Sequence, residues 1–167
     1  MPTRFLALYT ALALCTGASM VNSQSVTNPE MFVNAATSSN MFEIESSQLA
    51  LTLDVSDPVR AFAQHMVDEH TQAGVKMKEA AIKDAITPPA SMSDKDQSLL
   101  GDLQAAKGEA FESVYLAEQV TAHDEAVALF ESFSQGGPDN ALRAFAVETL
   151  PILKQHQTAV KALVASR

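Results

Sequence analysis

Tryptophan is absent from this chain, cysteine occurs once, and there are only 6 glycines, 7 prolines and 2 tyrosines in 167 residues. One cysteine cannot build a disulfide framework or a thiolate zinc site. So little glycine and proline excludes collagen-like and low-complexity polymers. Positive charge is also scarce, with 11 Lys plus Arg against 20 Asp plus Glu, a formal net charge of −9. A surface that acidic repels phosphate backbones and anionic lipid, so nucleic acid is not an expected partner. No Gly-x-Ser-x-Gly elbow occurs, and Gly136-Gly137-Pro138 lacks the lysine and glycine spacing of a phosphate loop. What is present is 47% hydrophobic residues in a chain of 17.8 kDa, enough for one domain with its own core.

Residues 1–23 carry the pattern of an export signal. Arg4 supplies the positive start, Phe5 to Leu14 the apolar stretch, and small residues at Thr16-Gly17-Ala18 and Val21-Asn22-Ser23 leave two cleavage positions open, after Ala18 or after Ser23. The stretch is too short to span a membrane, and no later segment is apolar for eighteen residues. Cys15 sits where a lipoprotein places its acylated residue, although Leu14 before it departs from that motif. Cys15 is expected to leave with the signal, so that the mature chain has no thiol, with acylation at Cys15 as the alternative. The expected location is periplasmic or secreted.

Residues 24–30 read as a linker, with Pro29 at the first position of a helix, and residues 31–167 as an all-α domain of four main helices. Phe32, Ala36, Phe42, Leu49 and Leu53 recur at helical spacing, interrupted by Ser38-Ser39-Asn40, a patch expected to mark a kink or a loose first turn. Ser56 or Asp57 caps a second helix with Pro58 at its start and a stripe of Val59, Phe62, Ala63, Met66, Ala73 and Met77, ending before Thr87-Pro88-Pro89. Ser93 and Asp96 resemble a capping box opening a short extra helix. The third main helix runs from Phe111 to Phe133, and a fourth, capped by Asp139, carries Leu142, Phe145, Ala146, Leu153 and Val160 through a kink expected at Pro151. Val59-Arg60-Ala61-Phe62-Ala63 and Leu142-Arg143-Ala144-Phe145-Ala146 form a faint repeat at two helix starts. No segment alternates as a strand does, and the expected architecture is an antiparallel four-helix bundle.

Polar residues on the apolar stripes are the candidate functional groups. His70, His123 and His156 fall inward on three different helices, with Glu43 beside Phe42 and Glu112 beside Phe111. Together they admit two readings. One is a metal site for zinc, iron or copper built from Glu43, His70, Glu112, His123 and His156. The other is a set of structural histidines satisfied by Glu43, Tyr115 and Glu112, with no cofactor. The Glu-x-x-His spacing of di-iron bundles is absent, and His65 with Glu69 reads as a solvated i,i+4 pair. The scattered methionines Met31, Met41, Met66, Met77 and Met92 read as packing.

Phe42-Glu43-Ile44-Glu45, Val59-Arg60-Ala61-Phe62-Ala63-Gln64, Met66-Val67-Asp68-Glu69-His70-Thr71, Phe111-Glu112 with Tyr115, His123 and Phe130, and Leu150-Pro151 with His156 together resemble a bacterial domain-of-unknown-function family whose members are often labelled predicted outer membrane proteins. The resemblance runs from about Phe32 to Leu163. It implies a ferritin-like four-helix bundle in exported proteins, without an activity. Glu112 and Gln119 stand where that family commonly has Asp and Met, which weakens a ligand role inferred from it. The expected function is a non-enzymatic envelope protein that binds a protein partner or a small ligand, in binding or stress-related roles. The alternative is a ferritin-like metal-binding or redox protein.

Overall fold

The structure, a computed structural model, describes residues 27–167. The expected signal sequence and Cys15 lie outside the described residues. Within them there are five helices and no strand: α1 (Pro29–Thr52), α2 (Asp57–Lys83), α3 (Asp94–Ala105), α4 (Glu109–Gly136) and α5 (Ala141–Ala165). α1 pairs with α2 and α4 with α5. The two pairs meet through α2 against α5 and α1 against α4, and α3 lies on α1 and α4.

The helix ends follow from local chemistry. Asn28 accepts the Met31 N–H at 3.0 Å and Pro29 opens α1, so the helix begins two residues inside the stretch assigned to the linker. Ser93 accepts the Asp96 N–H at 3.2 Å, as the capping-box reading expects. The cap of α5 is Asn140, which accepts the Arg143 N–H at 2.9 Å; Asp139 instead pairs with the Arg143 guanidinium. α2 ends in a Schellman turn: the Ile86 N–H reaches the Ala81 carbonyl at 2.8 Å and the Ala85 N–H that of Ile82 at 3.1 Å. Ala85 takes the left-handed position at φ 57°, where glycine is the usual occupant.

Two sequence features take on definite roles. α1 runs unbroken through the Ser38-Ser39-Asn40 patch. Ser38 is buried because its hydroxyl accepts the Ser93 N–H at 2.7 Å and donates to Asp96, tying α1 to the start of α3. In the faint repeat, Arg60 donates to the Leu51 and Leu53 carbonyls at 3.2 and 3.0 Å, and Arg143 donates to the Ser134 carbonyl at 3.1 Å. Each arginine thus reaches back to the free carbonyls at the end of the preceding helix, closing its hairpin in the same way. α5 continues through Pro151 without interruption.

The interior divides into two apolar clusters. One gathers Phe32, Phe130, Phe133, Leu142 and Phe145 with Met77 and Leu153, and within it Phe32 stacks on Phe133 with ring centroids 4.0 Å apart. The other gathers Phe42, Phe62, Met66, Leu103, Phe111 and Tyr115 with Val160. Along the chain, His70 lies between Met66 and Met77, Gln119 and His123 between Leu116 and Ala126, and His156 between Leu153 and Val160. The polar residues therefore occupy a layer between the two clusters, held by apolar packing on both sides.

Candidate metal centre

Three helices bring His70, His123 and His156 together. Their ring centroids stand 5.8, 5.4 and 5.5 Å apart pairwise, a near-equilateral triangle. One ligating nitrogen of each lies within 4.8 Å of those of the other two. All three side chains are buried, at 6%, 1% and 3% exposure. Phe62 closes one side, its ring 6.4 Å from that of His123.

Each imidazole is oriented by a hydrogen bond at one nitrogen only. His70 Nδ1 meets Asn40 Oδ1 at 3.1 Å, His123 Nδ1 meets the Gln119 carbonyl at 2.8 Å, and His156 Nε2 meets Glu69 Oε2 at 2.7 Å. Every one of these partners is an acceptor, so in a neutral ring the bonded nitrogen carries the hydrogen. The other nitrogen of each ring, His70 Nε2, His123 Nε2 and His156 Nδ1, then presents a lone pair, and all three are buried without a hydrogen-bond partner. Burial, with repulsion from neighbouring histidines, holds His70 well below the ordinary histidine value. Burial pulls His156 down to about 4 against the opposing hydrogen bond it donates to Glu69. Both are therefore neutral near pH 7, the form in which imidazole binds metal.

The two glutamates expected in this ring stand elsewhere. Glu43 is 2% exposed, but it faces His123 from the Nδ1 side, Oε1 to Nδ1 3.5 Å, behind the ring rather than among the unpartnered nitrogens. Burial pushes its carboxyl up, opposed by His123 and by the Gln119 side chain. Glu112 does not join the cluster. Its carboxylate accepts the Ser56 N–H at 2.7 Å and the Ser56 hydroxyl at 2.9 Å, capping α2, and lies 3.4 Å from Arg167. Those bonds, the Ser56 N–H first, hold its carboxyl below the ordinary range. The reason for the misplacement is height: Glu112 precedes His123 by eleven residues, about 16 Å along a helix axis, although both share a face. Tyr115 is likewise no histidine partner; its hydroxyl bonds Ser47 at 2.9 Å.

Three contributors were not legible as such. Glu69, expected to be solvated with His65, turns one oxygen inward to His156. The Gln119 carbonyl is a backbone group with no sequence signature. Asn40 had one indirect signal, Gly74 in the middle of α2: a Cβ there would come within 2.9 Å of Asn40 Nδ2, so glycine makes room for the side chain that orients His70.

A cavity of about 110 Å³ between α2 and α5 is lined by Glu69, Lys76, Thr149 and Leu153 among others, together with His70 and His156 of the triangle. No helix among the described residues is long and apolar enough to cross a membrane. Residues 16–163 match the family described as a domain of unknown function, DUF4142. No curated protein matches the chain, and no solved structure does.

Proposed function

The chain belongs to the DUF4142 family, and from that premise we propose that it is an exported, ferritin-like four-helix bundle that binds one first-row transition metal ion on His70, His123 and His156. A single observation carries the metal reading. The outer nitrogen of each ring is bonded to an acceptor, and the three nitrogens left over are buried without partners. Three inward lone pairs with no donor among them are costly in an apolar interior, and a cation is the partner that satisfies all three at once. Structurally satisfied histidines would have both nitrogens engaged.

The donor set fits. Neutral imidazoles suit zinc, copper and iron, and affinity for such nitrogen sites rises toward copper. The Glu69 to His156 contact is a carboxylate-histidine pair of the kind that fixes tautomer and ring orientation in metal sites, while Asn40 and the Gln119 carbonyl play the same part for the other rings. Three protein ligands leave a coordination position over, as open sites do. The acidic surface attracts cations from a distance. Export rests on Arg4 and the apolar run Phe5 to Leu14, and places metal binding in the periplasm or outside the cell, with lipidation at Cys15 as the variant form.

Elemental analysis of untagged protein purified from its native compartment tests this reading. About one equivalent of copper, zinc or iron is expected, with a mature N-terminus at residue 19 or 24 by mass spectrometry. Protein that carries no metal and fails to take up any of the three when offered them overturns it.

A further inference from the structure

The triad has a second set of ligands beside it. His65 lies on α2 five residues before His70, with its side chain 54% exposed. Its Nε2 is 3.6 Å from Glu69 Oε1, while Glu69 Oε2 accepts the hydrogen bond of His156 Nε2. The His65 and His156 rings are 5.3 Å apart, edge to face. One donor atom from each of His65, Glu69 and His156 falls within 4.8 Å of the other two. His156 therefore belongs to both groups, Nε2 turned to the outer pair and Nδ1 left for the inner triad. Glu69 and His156 of the outer group line one cavity with His70 of the triad.

A neutral imidazole carries one proton and offers one lone pair. With the proton on Nε2, His156 serves the triad; with the proton on Nδ1, it serves the outer group. The two sets compete for a single ring and hold an ion alternately. We propose that His65, Glu69 and His156 form an entry site for a divalent transition ion, which His156 passes inward to His70 and His123. Resting on the triad reading, this inference adds the route by which the ion arrives. On entry the proton leaves His156 Nε2 and its hydrogen bond to Glu69 is broken, Nδ1 takes a proton up, and the ion bonds Nε2. On transfer the metal bond to Nε2 breaks, a bond to Nδ1 forms, the proton leaves Nδ1, and Nε2 takes one up and restores its hydrogen bond to Glu69. The proton count of the protein is unchanged by the transfer.

His65 separates the two readings because it lies outside the triad and on the surface. The test measures Zn²⁺ uptake by the metal-free mature chain, with rates from stopped flow against a chromophoric chelator and stoichiometry from calorimetry, for wild type, His65→Ala, His123→Ala and the double variant. Wild type is expected to bind one equivalent. His65→Ala should reach the same final affinity but load about tenfold more slowly, in line with the loss of a supporting ligand. His123→Ala, deprived of the inner site, should keep weak binding that the double variant loses. Loading of His65→Ala at the wild-type rate, or two equivalents bound at once by wild type, overturns the entry site and leaves the triad standing. Wild-type affinity in His123→Ala overturns the triad instead.

Discussion

Acid should destabilise this protein well above the pH at which most carboxylates titrate, because two buried histidines must take up protons to unfold. In the folded chain His156 protonates at about 4, and His70 also lies well below its ordinary value. Once unfolded, both return to about 6.5. Between those values the unfolded state binds more protons than the folded one, so stability is complete above pH 6.5 and falls as pH falls toward 4. At about 1.4 kcal/mol per pH unit, the gap for His156 alone is worth about 3 kcal/mol, a substantial part of the 5–15 kcal/mol typical of a domain. His70 adds a loss of the same sign. Glu43 acts oppositely: its raised carboxyl favours the folded state below its unfolded value near 4.5 and costs stability as pH rises through its folded value. The clean measurement is therefore made in a Glu43→Gln background with chelator present, by urea unfolding at intervals from pH 7 to pH 4. The midpoint should drop steadily across that range, and His156→Leu should flatten the slope by its share. A midpoint that holds level from pH 6.5 to pH 4, or a slope untouched by His156→Leu, would refute the assignment of neutral, buried imidazoles.

Three further outcomes follow from the described contacts. Saturating zinc or copper at about a hundred times the dissociation constant should stabilise wild type by about 2.7 kcal/mol, and thermal melts with metal and with chelator should show that increment abolished in His70→Ala, His123→Ala and His156→Ala, each also lowering the metal-free baseline by about 1–3 kcal/mol. Ala85→Gly should stabilise by about 1 kcal/mol in urea, since it relieves a left-handed residue at the end of α2; no gain would show that Ala85 is not strained there. Glu112→Ala should cost about 1 kcal/mol through the lost cap on α2, while zinc stoichiometry by calorimetry stays unchanged; loss of metal would return Glu112 to the ligand set.

Periodicity gives the direction in which a side chain points around a helix, and it served well for that. His70, His123 and His156 face inward as their spacing requires, and Pro29 and Ser93 open helices where they stand. It does not give the level at which a residue meets its neighbours, which depends on how far each helix slides against the next. Glu112 shares the inward face of α4 with His123 yet meets the start of α2, and Glu69, at the margin of the α2 stripe, lies level with His156. The acceptors that fix the rings are a backbone carbonyl, an amide and a flanking carboxylate, and none of these has a spacing to search for. Gly74 is the exception, because a glycine inside a long helix asks what approaches its backbone.

The caps at two of the helix starts reach across the fold. Glu112 of α4 accepts the Ser56 N–H before α2, and Asp84 at the end of α2 accepts the Ala141 and Leu142 N–H groups of α5 at 3.2 and 2.8 Å. The helix start most often satisfies its free donors with its own neighbours in sequence, as Asn140 does for Arg143; the Ser56, Ala141 and Leu142 N–H groups are instead satisfied by residues 56 to 58 positions away. The first turn of α5 cannot be completed until α2 has docked, nor that of α2 until α4 has. Fraying, ordinarily a local event, is thus coupled to separation of the helices. The Ala141 and Leu142 amides should exchange with deuterium as slowly as amides deep in the core, so that these helix ends open only when the whole domain does.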